Sequence, residues 1–313
     1  MIDHDVDTPR SLVWRALKRD RLAMSGLFVL LLLTVVAVVG FVLTNTVDAF
    51  NPATVRLTDK LVEPMGAASD LIASDERPFA GIYWLGTDAL GRDVLSRMLQ
   101  GAGVSLSIGF VAVGLSVFIG VLVGATAGYF LESRVLGISL DTLLMRLTDA
   151  MLCFPTFFLV LTVVALLPAS TLNIMIVIGL TSWMGTARLV RGEVLSLKSR
   201  DYIAAAVAAG LPGRRIITHH LLPNAMAPVL VSASIGIATA ILTESALSFL
   251  GFGVQPPDAT WGNVLADGKN YILDAPWLFL FPGAAILVVV LAFNLLGEGA
   301  REALTPTLNT QVR

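Results

Sequence analysis

The chain has 313 residues, 56% hydrophobic and 14% charged, with a mean hydropathy of +0.80 and a formal net charge of −2. Soluble domains carry about 25% charged residues, so this composition excludes an ordinary soluble domain and makes the membrane-spanning helix, about 20 apolar residues long, the unit of organisation. A lone cysteine, Cys153, excludes an intrachain disulfide, and its apolar surroundings point to a core residue.

The N-terminal tail, residues 1–21, carries Arg10, Arg15, Lys18, Arg19 and Arg21. No charge follows from Leu22 to Val47. That run is longer than the roughly 7–15 residues of a signal-peptide core, and no A-x-A site follows it. It is therefore expected to be a retained helix over residues 22–45.

Residues 46–103 form a long connecting segment. Its end reads GTDALGRDVLSRMLQGAG, where Val94, Leu95, Met98 and Leu99 share an apolar face. Arg92, Asp93 and Arg97 lie mostly opposite, with Asp93 and Arg97 spaced as an i,i+4 pair. This pattern predicts a short amphipathic helix, either a lid packed on the bundle or a docking surface for an external partner.

Further spans are expected at 104–130, 142–167, 172–190, 225–250 and 276–297. In the second, Gly120, Gly124 and Gly128 recur every four residues, a flat stripe for close approach of another helix. The third holds Arg146, Asp149 and Pro155. Arg146 and Asp149 are spaced for an i,i+3 ion pair, although Arg146 can equally snorkel to the interface. The fifth holds Glu244, with no obvious local partner. An ionisable residue in a span is a functional candidate by default, and three roles are open: lining a cavity, meeting a substrate amino group, or bonding to a second subunit. Between the last two spans, residues 251–275 contain Pro256–Pro257 and several glycines, a turn-rich cap.

The basic residues set an expected orientation. With the N-terminus inside, the inner segments hold 14 of the 21 Lys and Arg, and acids outnumber the few outer ones. Positive-inside bias then places both termini, including the tail 299–313, in the cytoplasm.

The stretch DYIAAAVAAGLPGRRIITHHLLPN, residues 201–224, falls on that inner side. Ser199 or Asp201 suits a helix cap, and Tyr202–Ala209 is a strong helix former. Gly210 suits a C′ position, Pro212 suits N1 of a second helix, and Pro223 should end that helix. The expectation is two short helices joined by a sharp turn. Ala204, Ala205, Ala206, Ala208 and Ala209 make the first a slim rod, able to enter a groove on a partner. An interfacial helix pair on anionic lipid fits the pattern equally.

This stretch resembles the cytoplasmic loop of permease subunits of binding-protein-dependent ABC importers. Their pattern is E-A-A, three residues, Gly, nine residues, then I-x-L-P. Here Ala204, Ala205, Ala206, Gly210, His220, Leu221, Leu222 and Pro223 stand at those positions, with Ala204 in place of Glu and His220 in place of Ile. GTDALGRDVLSRML, RLVRGEVLSLKSRDYIAAA, ILTESALSFLGFGVQPP and LADGKNYILDAPWLFLFPG extend the resemblance to the dipeptide/oligopeptide branch, closest to the second of its two paired permeases.

The resemblance implies an all-α, polytopic membrane protein with six transmembrane helices, whose core 104–298 includes a coupling loop at 191–223, in a bacterial plasma membrane. It implies a paralogous permease, two ATPase subunits and an external binding protein as partners, and no nucleic acid. It implies no cofactor in this chain, ATP and Mg being bound by the ATPases, so the chain is expected not to be an enzyme. Arg214 and Arg215 would meet acids on an ATPase, or lipid. No phosphate-binding loop is present: Gly268–Lys269 is followed by Asn270, without the Ser or Thr the motif needs. His219 and His220 are adjacent and so about 100° apart on a helix, a poor metal pair. His4 lies in the tail. Di- or oligopeptides are the expected cargo, with nickel, glutathione or another small solute as the alternative. A proton-coupled transporter using Glu244 is the rival of another class.

Overall fold

The computed structural model describes residues 9–73, 77–131, 134–135 and 137–304; the expectations for His4, Arg313 and the outer parts of both tails fall outside these residues. Twelve α-helices are described: α1 Pro9–Arg19, α2 Arg21–Thr46, α3 Val94–Tyr129, α4 Leu140–Leu152, α5 Thr156–Leu166, α6 Thr171–Leu180, α7 Trp183–Lys198, α8 Asp201–Ala208, α9 Gly213–Ile216, α10 Leu222–Phe249, α11 Trp261–Gly268 and α12 Trp277–Leu304. Five helical stretches are long and apolar enough to cross a membrane, and α4 and α5 pass the same test only when taken together, as a pair bent by 82°. The bend sits at Pro155, whose ring and missing N–H break the helical ladder. The β-structure described is two short antiparallel strand pairs, Gly66–Ala67 with Ile82–Tyr83 and Arg134–Val135 with Ile138–Ser139, and an isolated bridge between Thr87 and Asp93.

α3 is the central helix, packed against α2, α6, α7 and α10. The glycine stripe explains its closest contact. Gly120 receives the Thr186 methyl, Gly124 the Ala187 carbonyl and Val190, and Gly128 the Val194 side chain, all from α7. A Cβ on any of the three would hold the helices apart. A core of Leu106, Ile108, Ile174, Ile178, Ile241 and Val289 fills the space between α3, α6, α10 and α12.

Several expectations are corrected. The tail expected over 1–21 contains the helix α1, turned into α2 at Asp20, whose carboxylate caps α2 through the amides of Leu22 and Ala23. The amphipathic helix expected around Arg92–Leu99 is not a separate element: helix begins at Val94 and continues unbroken to Tyr129. Asp93 does not pair with Arg97; it is the N-cap, accepting from the amides of Leu95 and Ser96. The cap over 251–275 contains α11, opened by a capping box between Thr260 and Asn263. Cys153 is exposed, at the break between α4 and α5, rather than in the core.

One end of the bundle is closed by residues 47–73 and 77–93 together with α11. Tyr83 donates to Asp59, Thr87 donates to the Asp59 carbonyl, and Trp277 at the start of α12 donates its indole N–H to the Thr87 carbonyl. The opposite end carries residues 199–221.

Candidate functional site

The stretch 198–223 forms a hairpin of α8 and α9 seated on the ends of α3 and α7. Ile203 and Ala206 of α8 are buried against Val190, Val194, Ile216 and Leu221. Ala204, Ala205, Val207, Ala208 and Ala209 face outward and are exposed. Small side chains spaced at 3.6 residues per turn thus give one anchored face and one smooth open face.

The turn after α8 follows from Gly210. Its φ is +74°, a conformation costly for any residue with a Cβ. The Gly210 amide donates to the Val207 carbonyl at 2.9 Å and the Leu211 amide to the Ala206 carbonyl at 3.2 Å. These two bonds make a Schellman motif. Neither Ser199 nor Asp201 caps α8 as expected: Arg200 is the N-cap, with no side-chain bond. Pro212 is the N-cap of α9 rather than N1.

Pro223 does not end the second helix. Helix runs from Gly213 to Phe249, with residues 217–221 in π geometry. The Leu222 amide bonds the Ile217 carbonyl, five residues back, and the Asn224 side chain donates to the His220 carbonyl at 2.7 Å. The wider turn shifts the hydrogen-bond ladder by one residue just ahead of Pro223, which has no N–H to continue it, and the Asn224 side chain adds a bond to the His220 carbonyl. The loop is thereby continuous with the helix that crosses the bundle.

Two contacts tie the hairpin to α3. The Lys198 ammonium donates to the Tyr129 carbonyl at 2.9 Å and stands 5.3 Å from that ring's centre. The Tyr129 ring covers Gly213, where a Cβ would come within 2.7 Å of it. Arg214 and Arg215 are exposed beside this seat, His220 and Leu222 are half-buried, and Pro223 is exposed. His219 meets the Thr218 hydroxyl.

Arg146 and Asp149 approach to 4.0 Å, but the close partner of Asp149 is Arg188 of α7. Asp141 takes two hydrogen bonds from Arg191. The two pairs fasten α4 to α7, a link invisible in the i,i+3 spacing because the basic partners lie 39 and 50 residues downstream. Glu244 is fully buried and has local partners after all. The hydroxyls of Ser248 and Thr260 donate to its Oε1 at 2.7 and 2.8 Å, joining α10 to α11.

At the closed end, Arg97 donates to Asp88 at 2.7 Å and to Asp267 at 2.8 Å, while Arg92 bonds the same two acids. Burial pushes the Asp93 carboxyl above its ordinary value of 3.8, against the opposing effect of its bonds from Ser96 and Leu95.

A cavity of about 250 Å³ opens between α3, α6, α7 and α10. Its hydroxyl-bearing lining is Ser116, Ser182, Thr186, Ser232, Thr239 and Thr243. The sequence reading missed these residues. The available signal was Ser232, Gly236, Thr239 and Thr243, small or hydroxylic side chains at three- and four-residue steps along one face of an apolar helix.

Residues 117–310 match the family described as the binding-protein-dependent transport system inner membrane component. Residues 8–59 match the N-terminal TM domain of oligopeptide transport permease C. The chain is 38% identical over 297 residues to the dipeptide transport system permease protein DppC of Alkalihalophilus pseudofirmus, covering 95% of this chain and 90% of that one. It is 36% identical to the protein of the same name in Bacillus subtilis, over 94% of this chain and 85% of that one. It is 41% identical to the oligopeptide transport system permease protein OppC of Haemophilus influenzae, over 72% and 71% of the two chains. With its all-helical architecture and membrane-length spans, the chain belongs to the inner-membrane permease components of binding-protein-dependent ABC transport systems, in the dipeptide and oligopeptide permease C branch.

Proposed function

We propose that this chain forms half of a translocation pathway for di- or oligopeptides and receives its drive from ATPase subunits through residues 191–223. As a family member it is a multi-pass inner-membrane component and a non-catalytic subunit. The peptide assignment is supported by the dipeptide and oligopeptide systems that its relatives are named for. A paralogous permease supplies the other half, an external binding protein delivers substrate, and ATP with Mg is held by the ATPases. Both termini and the α8–α9 hairpin lie in the cytoplasm, on the strength of the basic residues gathered at that end.

The observation that carries the coupling role is the seating of α8. Its inner face is anchored by Ile203 and Ala206, its outer face is exposed, and the Gly210 turn leads from it into the Gly213–Phe249 helix that contains α10. A push on the exposed face reaches α7 and the Gly213–Phe249 helix through the packing of Ile203 and Ala206 on Val190, Val194, Ile216 and Leu221. Ala204, where the family pattern has Glu, and His220, where it has Ile, alter the contact surface and leave that seating intact.

The test is Gly210→Pro in the assembled complex. Proline holds φ near −65° and lacks the N–H that bonds Val207, so the turn cannot form. The variant should insert and assemble with its partner permease, and lose ATP-dependent uptake. Normal uptake by this variant would remove the coupling role.

A further inference from the structure

Resting on the peptide-permease reading, we propose that the cavity between α3, α7 and α10 is a contact site for the peptide main chain during transit, with Ser116 and Thr186 as its principal donors. Both residues lie nine-tenths or more inside the protein, at 5% and 7% exposure, and both line the cavity. Serine and threonine in a helix interior usually bond the carbonyl four residues back. Among the described residues, the hydroxyls of Ser116, Ser182, Thr186 and Ser232 take no such partner. Thr186 turns its methyl onto Gly120 of α3, which leaves its hydroxyl for the cavity.

The other two hydroxyls are spent differently. Thr239 donates to the Ile235 carbonyl and Thr243 to the Thr239 carbonyl. Their protons are committed and only their lone pairs remain to face the cavity. The lining therefore offers four hydroxyl donors and two hydroxyl acceptors, the complement of the carbonyl and N–H that every peptide bond carries. Its lining residues include no charged and no aromatic side chain. A site of this kind favours no particular side chain, ammonium or carboxylate. Hydroxyls are also weak ligands for a divalent transition metal, which takes imidazole or thiolate in preference. Ser182, Gly185 and Thr239 are exposed at the cavity mouth, so the cavity opens on a face that the rest of the chain leaves uncovered.

The experiment compares Thr186→Val, Thr186→Ser and Ser116→Ala, and the Ser116→Ala/Thr186→Val double variant, in the complete transport complex. Valine keeps the methyl against Gly120 and removes only the hydroxyl; serine keeps the hydroxyl and removes the methyl. Uptake of labelled Ala-Ala, Leu-Leu, Glu-Glu and Lys-Lys is measured beside ATPase stimulation by the loaded binding protein. The double variant should lose about tenfold in uptake, by a similar factor for all four peptides, from two hydrogen bonds removed. Thr186→Ser, which keeps a donor, should retain more uptake than Thr186→Val, and ATPase stimulation should persist in every variant. Unchanged uptake in the double variant overturns the proposal. So does a loss confined to one class of side chain, or a loss of ATPase stimulation in step with uptake, which would mark these hydroxyls as part of the scaffold. If the parent complex carries none of the four peptides, the peptide reading fails and this site falls with it; failure of the site alone leaves parent uptake intact.

Discussion

The Lys198 ammonium caps the last turn of α3 by donating to the main-chain carbonyl of Tyr129 at 2.9 Å. One side chain thus links the base of the α8–α9 hairpin to the helix around which the bundle is packed. A cation at a helix C-terminus and over a ring contributes about 1 kcal/mol, too little to decide folding and enough to hold the hairpin in register. Lys198→Met should assemble normally and lose much of its coupled uptake, whereas Lys198→Arg should retain it. The check is uptake per ATP hydrolysed in proteoliposomes; full coupling in Lys198→Met would show that the hairpin is positioned elsewhere.

Glycines 114 and 124 lie on the same helix and should respond oppositely to alanine. A Cβ at Gly114 meets nothing within 4 Å, while one at Gly124 runs into the Ala187 carbonyl. Overpacking of this kind costs about 1–3 kcal/mol, and relief of glycine's backbone entropy returns about 0.5–1 kcal/mol. Gly124→Ala should therefore lower the unfolding midpoint in detergent, and Gly114→Ala should leave it unchanged or raise it. Equal midpoints for the two would mean that α7 can withdraw from α3 without cost.

The clamp of Arg92 and Arg97 on Asp88 and Asp267 predicts unequal costs for its members. Arg97 is 2% exposed and bonds both acids, whereas the Asp267 side chain is 42% exposed. Removing one partner of a buried pair costs about 3–5 kcal/mol, because the other charge stays buried. An exposed member contributes about 1 kcal/mol or less. Arg97→Met should strongly destabilise the cap, and Asp267→Asn should scarcely do so, as read by protease resistance of residues 47–93. Comparable losses from the two would contradict the burial-based ranking.

These sites also show where the sequence was legible. Spans were readable because an uncharged run such as Leu22–Val47 has one explanation, and the Gly210 turn because one residue type fits φ > 0. Pro223 misled because local chemistry says that proline stops a helix. The π turn over residues 217–221 that carries the helix past this proline is particular to the folded chain. Arg97 misled because its partner Asp267 lies 170 residues away, while Asp93 sat at an attractive i,i+4 spacing. The cavity hydroxyls were hidden for another reason. Serine and threonine in an apolar helix look alike whether they bond their own backbone or face a pathway, and packing alone separates Ser116 from Thr126, which bonds the Leu122 carbonyl.

Asp93 gives a prediction in pH. Burial raises its carboxyl above 3.8 in the folded protein, and the unfolded chain keeps the ordinary value. The folded state therefore holds this proton more tightly. Its stabilising share is complete below 3.8 and is lost as pH rises through the raised folded value, above which stability is flat in this group. Asparagine keeps the capping oxygen for the α3 amides and cannot ionise. Asp93→Asn should therefore be at least as stable as the parent at neutral pH and should lack the parent's fall in stability as pH rises from 3.8. Asp93→Ala should lose about 1 kcal/mol of capping at neutral pH relative to Asp93→Asn. Unfolding midpoints of the three proteins across that range decide it: a parent whose stability rises with pH there, with Asp93→Asn flat, would reverse the sign and show that the bonds from Ser96 and Leu95 outweigh burial.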